Sequence, residues 1–250
     1  MSAGITGALV PHAPLLLPDI AGPKISADTE TIRRALASLS FDDVDLVIVL
    51  SPHARGCGVY GRVDGTLDEF GVSGIELRRP SDPEAVDALA AMWDKPTLPG
   101  PVDHGVLVPM MMLATGEIPV VAAGLGEVDD GSGSPGDPVA DGSSFARAIG
   151  QLSMRHTLFL VASAQTSCAL TPRAPLTVLA EAKPAEAAVL SALRGDPAGL
   201  QRSASELWQR GGSCSPGTLA AYGEVFAGRS SEVLAYEYPF GVGYVVARVT

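Results

Sequence analysis

Four short apolar runs set the strongest limit on how this chain can fold: Ile5–Val10, Val44–Leu50, Ile118–Ala123 and Thr157–Ala162, each bounded by turn residues. Runs of that length, rich in Val and Ile and without polar alternation, are predicted to be strands buried on both faces. Helical spacing of apolar residues lies between and after them, over Thr29–Ser38, Pro83–Trp93, Val106–Thr115, Ser144–Ser153, Ala185–Arg194 and Leu200–Gln209, several starting at or after Asp, Ser or Pro. Such alternation belongs to α/β proteins. The end differs, because Val233–Tyr238 and Gly243–Val249, joined by Pro239–Phe240–Gly241, read as two strands with a tight connection. The expectation is one domain over residues 1–250, with a central mixed β-sheet flanked by helices.

Composition narrows the function classes. With 250 residues and 46% apolar side chains the chain can close a sizeable core, and its 18% charged residues fall below the roughly 25% usual for globular proteins. A net charge of −11 argues against a phosphate-binding surface, so no nucleic-acid partner is expected. Leu46–Leu50 and Val106–Ala114, the longest apolar stretches, fall short of the ~18 residues of a bilayer span. No basic residues precede the first apolar run, and Pro11 and Pro14 interrupt it, so no secretory signal is read and a cytoplasmic location is expected. Cys57, Cys168 and Cys214 are widely spaced and odd in number, and are expected to be free thiols. Gly126–Gly142, rich in Gly, Asp, Ser and Pro, reads as a long mobile loop within the domain, a candidate lid.

The histidines carry the first chemical signal. His12 in Val10–Pro11–His12–Ala13–Pro14 and His53 in Leu50–Ser51–Pro52–His53 each leave a predicted strand through a Pro–His step. In open α/β sheets ligands bind outside the carboxyl ends of strands, so the two imidazoles are candidates for one shared site. The plainer alternative makes each a hydrogen-bonded loop residue. Asp103 is a candidate N-cap for the helix that follows it, and the positive end of that helix would keep His104 neutral. His156 reads as a surface residue. Glu237 stands in an otherwise apolar strand end, Leu234–Ala235–Tyr236–Glu237–Tyr238, where a carboxylate needs a partner, a metal or solvent. Two imidazoles and one carboxylate are the facial ligand set of non-heme Fe(II) oxygenases.

Four words in order, Pro11–His12–Ala13–Pro14–Leu15–Leu16, Ser51–Pro52–His53, Asp103–His104–Gly105–Val106–Leu107–Val108–Pro109 and Pro239–Phe240–Gly241–Val242–Gly243–Tyr244, resemble class III extradiol ring-cleavage dioxygenases. The likeness is greatest to the LigB-like branch, which includes the Memo proteins. It implies His12, His53 and Glu237 as ligands of Fe(II), His104 as a pocket histidine, a small aromatic diol and O2 as substrates, and a homodimer; zinc accepts the same His and carboxylate donors and is the alternative metal. In the Memo branch another residue type stands at the position of Glu237. Where active relatives carry a word like Gly–Asp–Leu–Ser–His, with the acid/base histidine, this chain has Ala164–Gln165–Thr166–Ser167–Cys168, so Cys168 stands in the histidine's place. Catalysis impaired by that exchange is one expectation. A non-catalytic, metal-binding or Memo-like interaction protein that keeps the pocket is the other.

Overall fold

The computed structural model describes residues 4–54, 56–126, 137–209 and 212–250. Its strands are β1 Ile5–Val10, β2 Leu46–Ser51, β3 Cys57–Tyr60, β4 Val63–Thr66, β5 Glu76–Arg79, β6 Thr97–Leu98, β7 Val120–Leu125, β8 Leu158–Ser163, β9 Glu232–Glu237 and β10 Tyr244–Val249. Its α-helices are α1 Pro18–Asp28, α2 Glu30–Ala37, α3 Pro83–Trp93, α4 His104–Met112, α5 Pro138–Leu152, α6 Ala182–Arg194, α7 Leu200–Gln209 and α8 Pro216–Val225.

Eight strands form one sheet in the order β6-β3-β7-β2-β8-β1-β10-β9, and β4 and β5 form a separate hairpin. The centre, β7-β2-β8-β1, is parallel. Every residue of β2, β7 and β8 is buried, as continuous apolar runs require when helices cover both faces. On one side β10 and β9 continue the sheet antiparallel, and on the other β3 runs antiparallel to β7. The mixed α/β sheet anticipated from the sequence is therefore present. Its two faces carry separate apolar layers: Leu89, Phe145, Leu219 and Tyr222 pack on one, and Ile32, Leu36, Val106 and Met110 on the other.

Part of the expected loop at 126–142 is helix. Asp137 caps α5 by accepting from the Val139 and Ala140 amides, and Pro138 occupies the first turn. Gly142, which reads as a loop residue in sequence, is a packing residue: a Cβ there would run into the Gly217 carbonyl of α8. Residues 127–136 of the expected loop lie outside the described residues. β1 starts at Ile5, as its apolar run suggests, whereas β2, β7 and β8 start one or two residues later than theirs, at Leu46, Val120 and Leu158. Among the described residues no helix is long and apolar enough to cross a membrane.

Candidate metal centre

The carboxyl ends of β2, β8 and β1 lie side by side, and the site is built on them. His12 follows β1 and is 1% exposed. Its Nδ1 lies 3.0 Å from the hydroxyl of Ser163, the last residue of β8. With Nδ1 protonated and donating to Ser163, Nε2 presents its lone pair, the usual way a neighbouring group orients a ligating histidine. That Nε2 is 3.0 Å from Nε2 of His53 and 3.8 Å from Sγ of Cys214. Cys214 reaches the site from the segment before α8.

His12, His53 and Cys214 offer one donor atom each, all within 4.8 Å of one another. Donors that share a tetrahedral ion at bond lengths of ~2.0–2.3 Å stand roughly 3.3–3.8 Å apart. Two of the spacings, 3.0 and 3.8 Å, fall near that range, and the three donors together could hold a metal ion. The sulfur points the same way: Cys214 is held well below its ordinary pKa, first by the hydrogen bond from Cys168 and then by His12 and His53, against the opposing effect of burial. His53 is half-buried, and although burial lowers its pKa most strongly, Cys214 and Asp103 together leave it raised.

Asp103 aligns the two histidine-bearing segments. Its Oδ1 accepts from Ser51 Oγ at 2.5 Å and from the Gly105 amide at 2.7 Å, and its Oδ2 accepts from Tyr60 at 2.6 Å. Ser51 Oγ in turn accepts from the His53 amide at 3.1 Å. One carboxylate thus caps α4, as expected, and ties it to the end of β2. His104 begins that helix and stacks on His53 with ring centroids 4.4 Å apart. Burial, then His53 and His12, push its pKa down to about 4, so it is neutral, as its place at a helix start suggested. Tyr60→Phe removes a charge-assisted bond to Asp103 and should lower stability by about 1.5 kcal/mol. A smaller urea midpoint with an unchanged m-value would register it; an unchanged midpoint would show that Ser51 and Gly105 suffice.

Cys168 lies behind Cys214, with the sulfurs 3.9 Å apart. The bond to Cys214 and burial raise its pKa far above the ordinary range, so it is a protonated thiol at neutral pH. The side-chain carbonyl of Gln165 faces both sulfurs, at 3.5 Å from Cys168 and 3.6 Å from Cys214. A cavity of about 810 Å³ opens beside the centre. Its lining includes His53, His104, Tyr60 and Asp103 and, from the β4–β5 hairpin and the turn leading into it, Arg62 and Arg78. His53 therefore belongs both to the donor group and to the cavity.

No family model and no curated protein matches the sequence. In three dimensions the chain is similar to the crystal structure of an uncharacterized protein, JW3007, from Escherichia coli K12, with a TM-score of 0.59 and 15% identity over 98% of this chain and 99% of that one. At that identity the likeness concerns the fold.

Of the residues singled out from the sequence, His12, His53 and His104 meet at one place, and Cys168 stands next to them. Glu237 does not join the donor group. It ends β9, the edge strand two places from β1, so at ~4.8 Å per strand its backbone lies roughly 10 Å from that of β1. The third donor is Cys214. Sequence reasoning missed it because it sits in a turn-rich stretch, Gly211–Gly212–Ser213–Cys214–Ser215–Pro216, with no strand end or paired cysteine to mark it.

Proposed function

We propose that the protein is a metal-dependent oxidoreductase of the extradiol type, with one divalent transition metal held by His12, His53 and Cys214 and a small ring-bearing diol accepted in the adjoining cavity. The observation that carries the reading is the convergence of His12 Nε2 and His53 Nε2 at 3.0 Å with Cys214 Sγ beside them, on a cavity lined by His53 and His104. The four sequence words that resemble class III dioxygenases support the assignment of the reaction. Imidazole and thiolate donors suit zinc and Fe(II) alike, and ring opening by O2 requires the redox-active metal. When bound, Fe(II) would bring diol and dioxygen together and supply the electron transfer that ring opening needs.

The chain's own residues then bind, orient and exclude water. Asp103, held by Ser51 and Tyr60, fixes His53 and His104 against each other, and such preorganised geometry contributes to catalysis. Neutral His104 can donate or accept one hydrogen bond at a substrate hydroxyl. Cys168 remains protonated, so it takes no proton from the diol, and the missing positioned base corresponds to a loss of about 10²–10⁴ in rate. That same observation favours a second reading, a non-catalytic metal-binding protein that keeps the pocket. The three cysteines, all unpaired, suit a reducing compartment such as the cytoplasm.

The test is anaerobic loading of the purified chain with Fe(II), followed by O2 and a panel of catechols. The expected result is oxygen uptake with one O2 per diol and yellow ring-opened products, slow but above the metal-free control. Stoichiometric metal with no oxygen uptake on any diol would select the second reading. Failure to bind any transition metal would remove both.

A further inference from the structure

We propose that Cys168 and Cys214 form a peroxide-responsive dithiol, a reversible modification site whose closure to a disulfide takes the sulfur donor away from His12 and His53. The two sulfurs stand 3.9 Å apart on two different loops, the one after β8 and the one before α8. Those loops are fastened together, because the Cys168 amide donates to the Gly212 carbonyl at 2.7 Å and the Gln165 amide donates to the Ser215 hydroxyl at 3.2 Å. The pair is therefore held in register by hydrogen bonds that a bridge need not break. A disulfide has its sulfurs about 2.05 Å apart, so closure asks for a shift of roughly 2 Å, within reach of side-chain rotation at the half-buried Cys214. Cys57, the third thiol, lies on β3 beside the Lys95–Asp141 pair.

The chemistry balances with hydrogen peroxide or an organic hydroperoxide as oxidant. The sulfur of Cys214 attacks one peroxide oxygen, the O–O bond breaks, water or an alcohol leaves, and Cys214 carries a sulfenic acid. The sulfur of Cys168 then attacks Sγ of Cys214: the S–S bond forms, the S–O bond breaks, and water leaves with the Cys168 proton. Two electrons pass from the thiols to the peroxide, and an external dithiol returns them. Once bridged, Cys214 has no thiolate to offer a metal, which leaves two imidazoles. That consequence rests on the metal reading above, whereas the bridge itself does not.

The experiment treats the full chain with a small excess of hydrogen peroxide, once metal-free and once zinc-loaded, and maps peptides by mass spectrometry without reduction. The expected result is a Cys168–Cys214 cross-link in the metal-free protein, a fall in titratable thiols from three to one, and recovery of all three with dithiothreitol. In the zinc-loaded protein, release of zinc to a chromogenic chelator should follow the bridge. Cys168→Ser should give no cross-link and accumulate over-oxidised Cys214, and its circular dichroism reports that it has folded. Three thiols left unbridged in the metal-free chain, or a bridge to Cys57, would overturn the proposal. A metal-free chain that bridges normally yet never bound zinc would uphold the dithiol and overturn the metal assignment instead.

Discussion

His12→Ala should lower the affinity for zinc or Fe(II) by about 10²–10³-fold. Structural zinc sites with four ligands are worth about 10–16 kcal/mol, so a single donor carries roughly 2.5–4 kcal/mol. Cys214→Ser should do as much, since a serine hydroxyl is a far weaker donor for these metals than a thiolate. Glu237→Ala should leave the affinity where it was. Competition titration against a chelator of known affinity gives all three numbers. An independent measurement is the metal-induced gain in unfolding free energy, about 2.7 kcal/mol at a metal concentration 100 times Kd, which the His12 and Cys214 variants should lose at that concentration. Because His12 is buried against Ser163, its alanine variant needs the metal-free stability measured alongside, so that a loss of fold is not read as a loss of ligand. Retention of metal by Cys214→Ser together with its loss from Glu237→Ala would restore the carboxylate as third ligand and refute the donor set seen here.

How the sequence led to part of this centre and not to the rest follows from what local pattern encodes. His12 and His53 were legible because both leave buried strands through Pro–His steps, and a parallel sheet brings consecutive strand ends to one edge. The strand that separates β2 from β1 in space is β8, and its last residue, Ser163, orients His12; strand order is a tertiary property that apolar periodicity does not reveal. Asp103 was legible as a helix cap, while its second task, holding Ser51 and Tyr60 from two other strands, depends on that same order. Glu237 stands out in the sequence as a charge in an apolar strand end, and the structure gives it a half-buried place on an edge strand, where one side remains open. The short strands β3 to β6 lack the apolar runs that mark the sheet's centre; β4 and β5 carry Asp64, Thr66, Glu76 and Arg78, which line the cavity instead of a core. Function and pattern compete there, and the pattern gives way.

The most buried carboxylate among the described residues is neither Asp103 nor Glu237 but Glu186, 2% exposed on α6. Its helix buries Ala182, Glu186, Val189 and Leu193, so the glutamate occupies a place in the apolar stripe. Its Oε1 meets the Thr166 hydroxyl, and that hydroxyl is also 3.2 Å from the Gly243 carbonyl. Thr166 has one hydrogen to give. If it donates to Gly243, Glu186 must be the donor to Thr166, which a protonated carboxyl can be and a carboxylate cannot. Burial raises the pKa of Glu186 from 4.5 to about 7, against smaller opposing effects of Thr166 and Tyr236. Between those two values the folded chain holds a proton that the unfolded chain has released, so stability must fall as pH rises through this window and level off above about 7. At 1.36 kcal/mol per pKa unit the full effect is about 3 kcal/mol. Glu186→Gln keeps the shape and supplies a permanent N–H donor, so relative to wild type it should gain about 2–3 kcal/mol between pH 5 and pH 8. Urea unfolding of both proteins at the two pH values measures that difference, with the metal removed so that no other linkage contributes. A difference independent of pH would mean that Glu186 is ionised throughout, and the Thr166 hydrogen would then belong to Glu186 and not to Gly243.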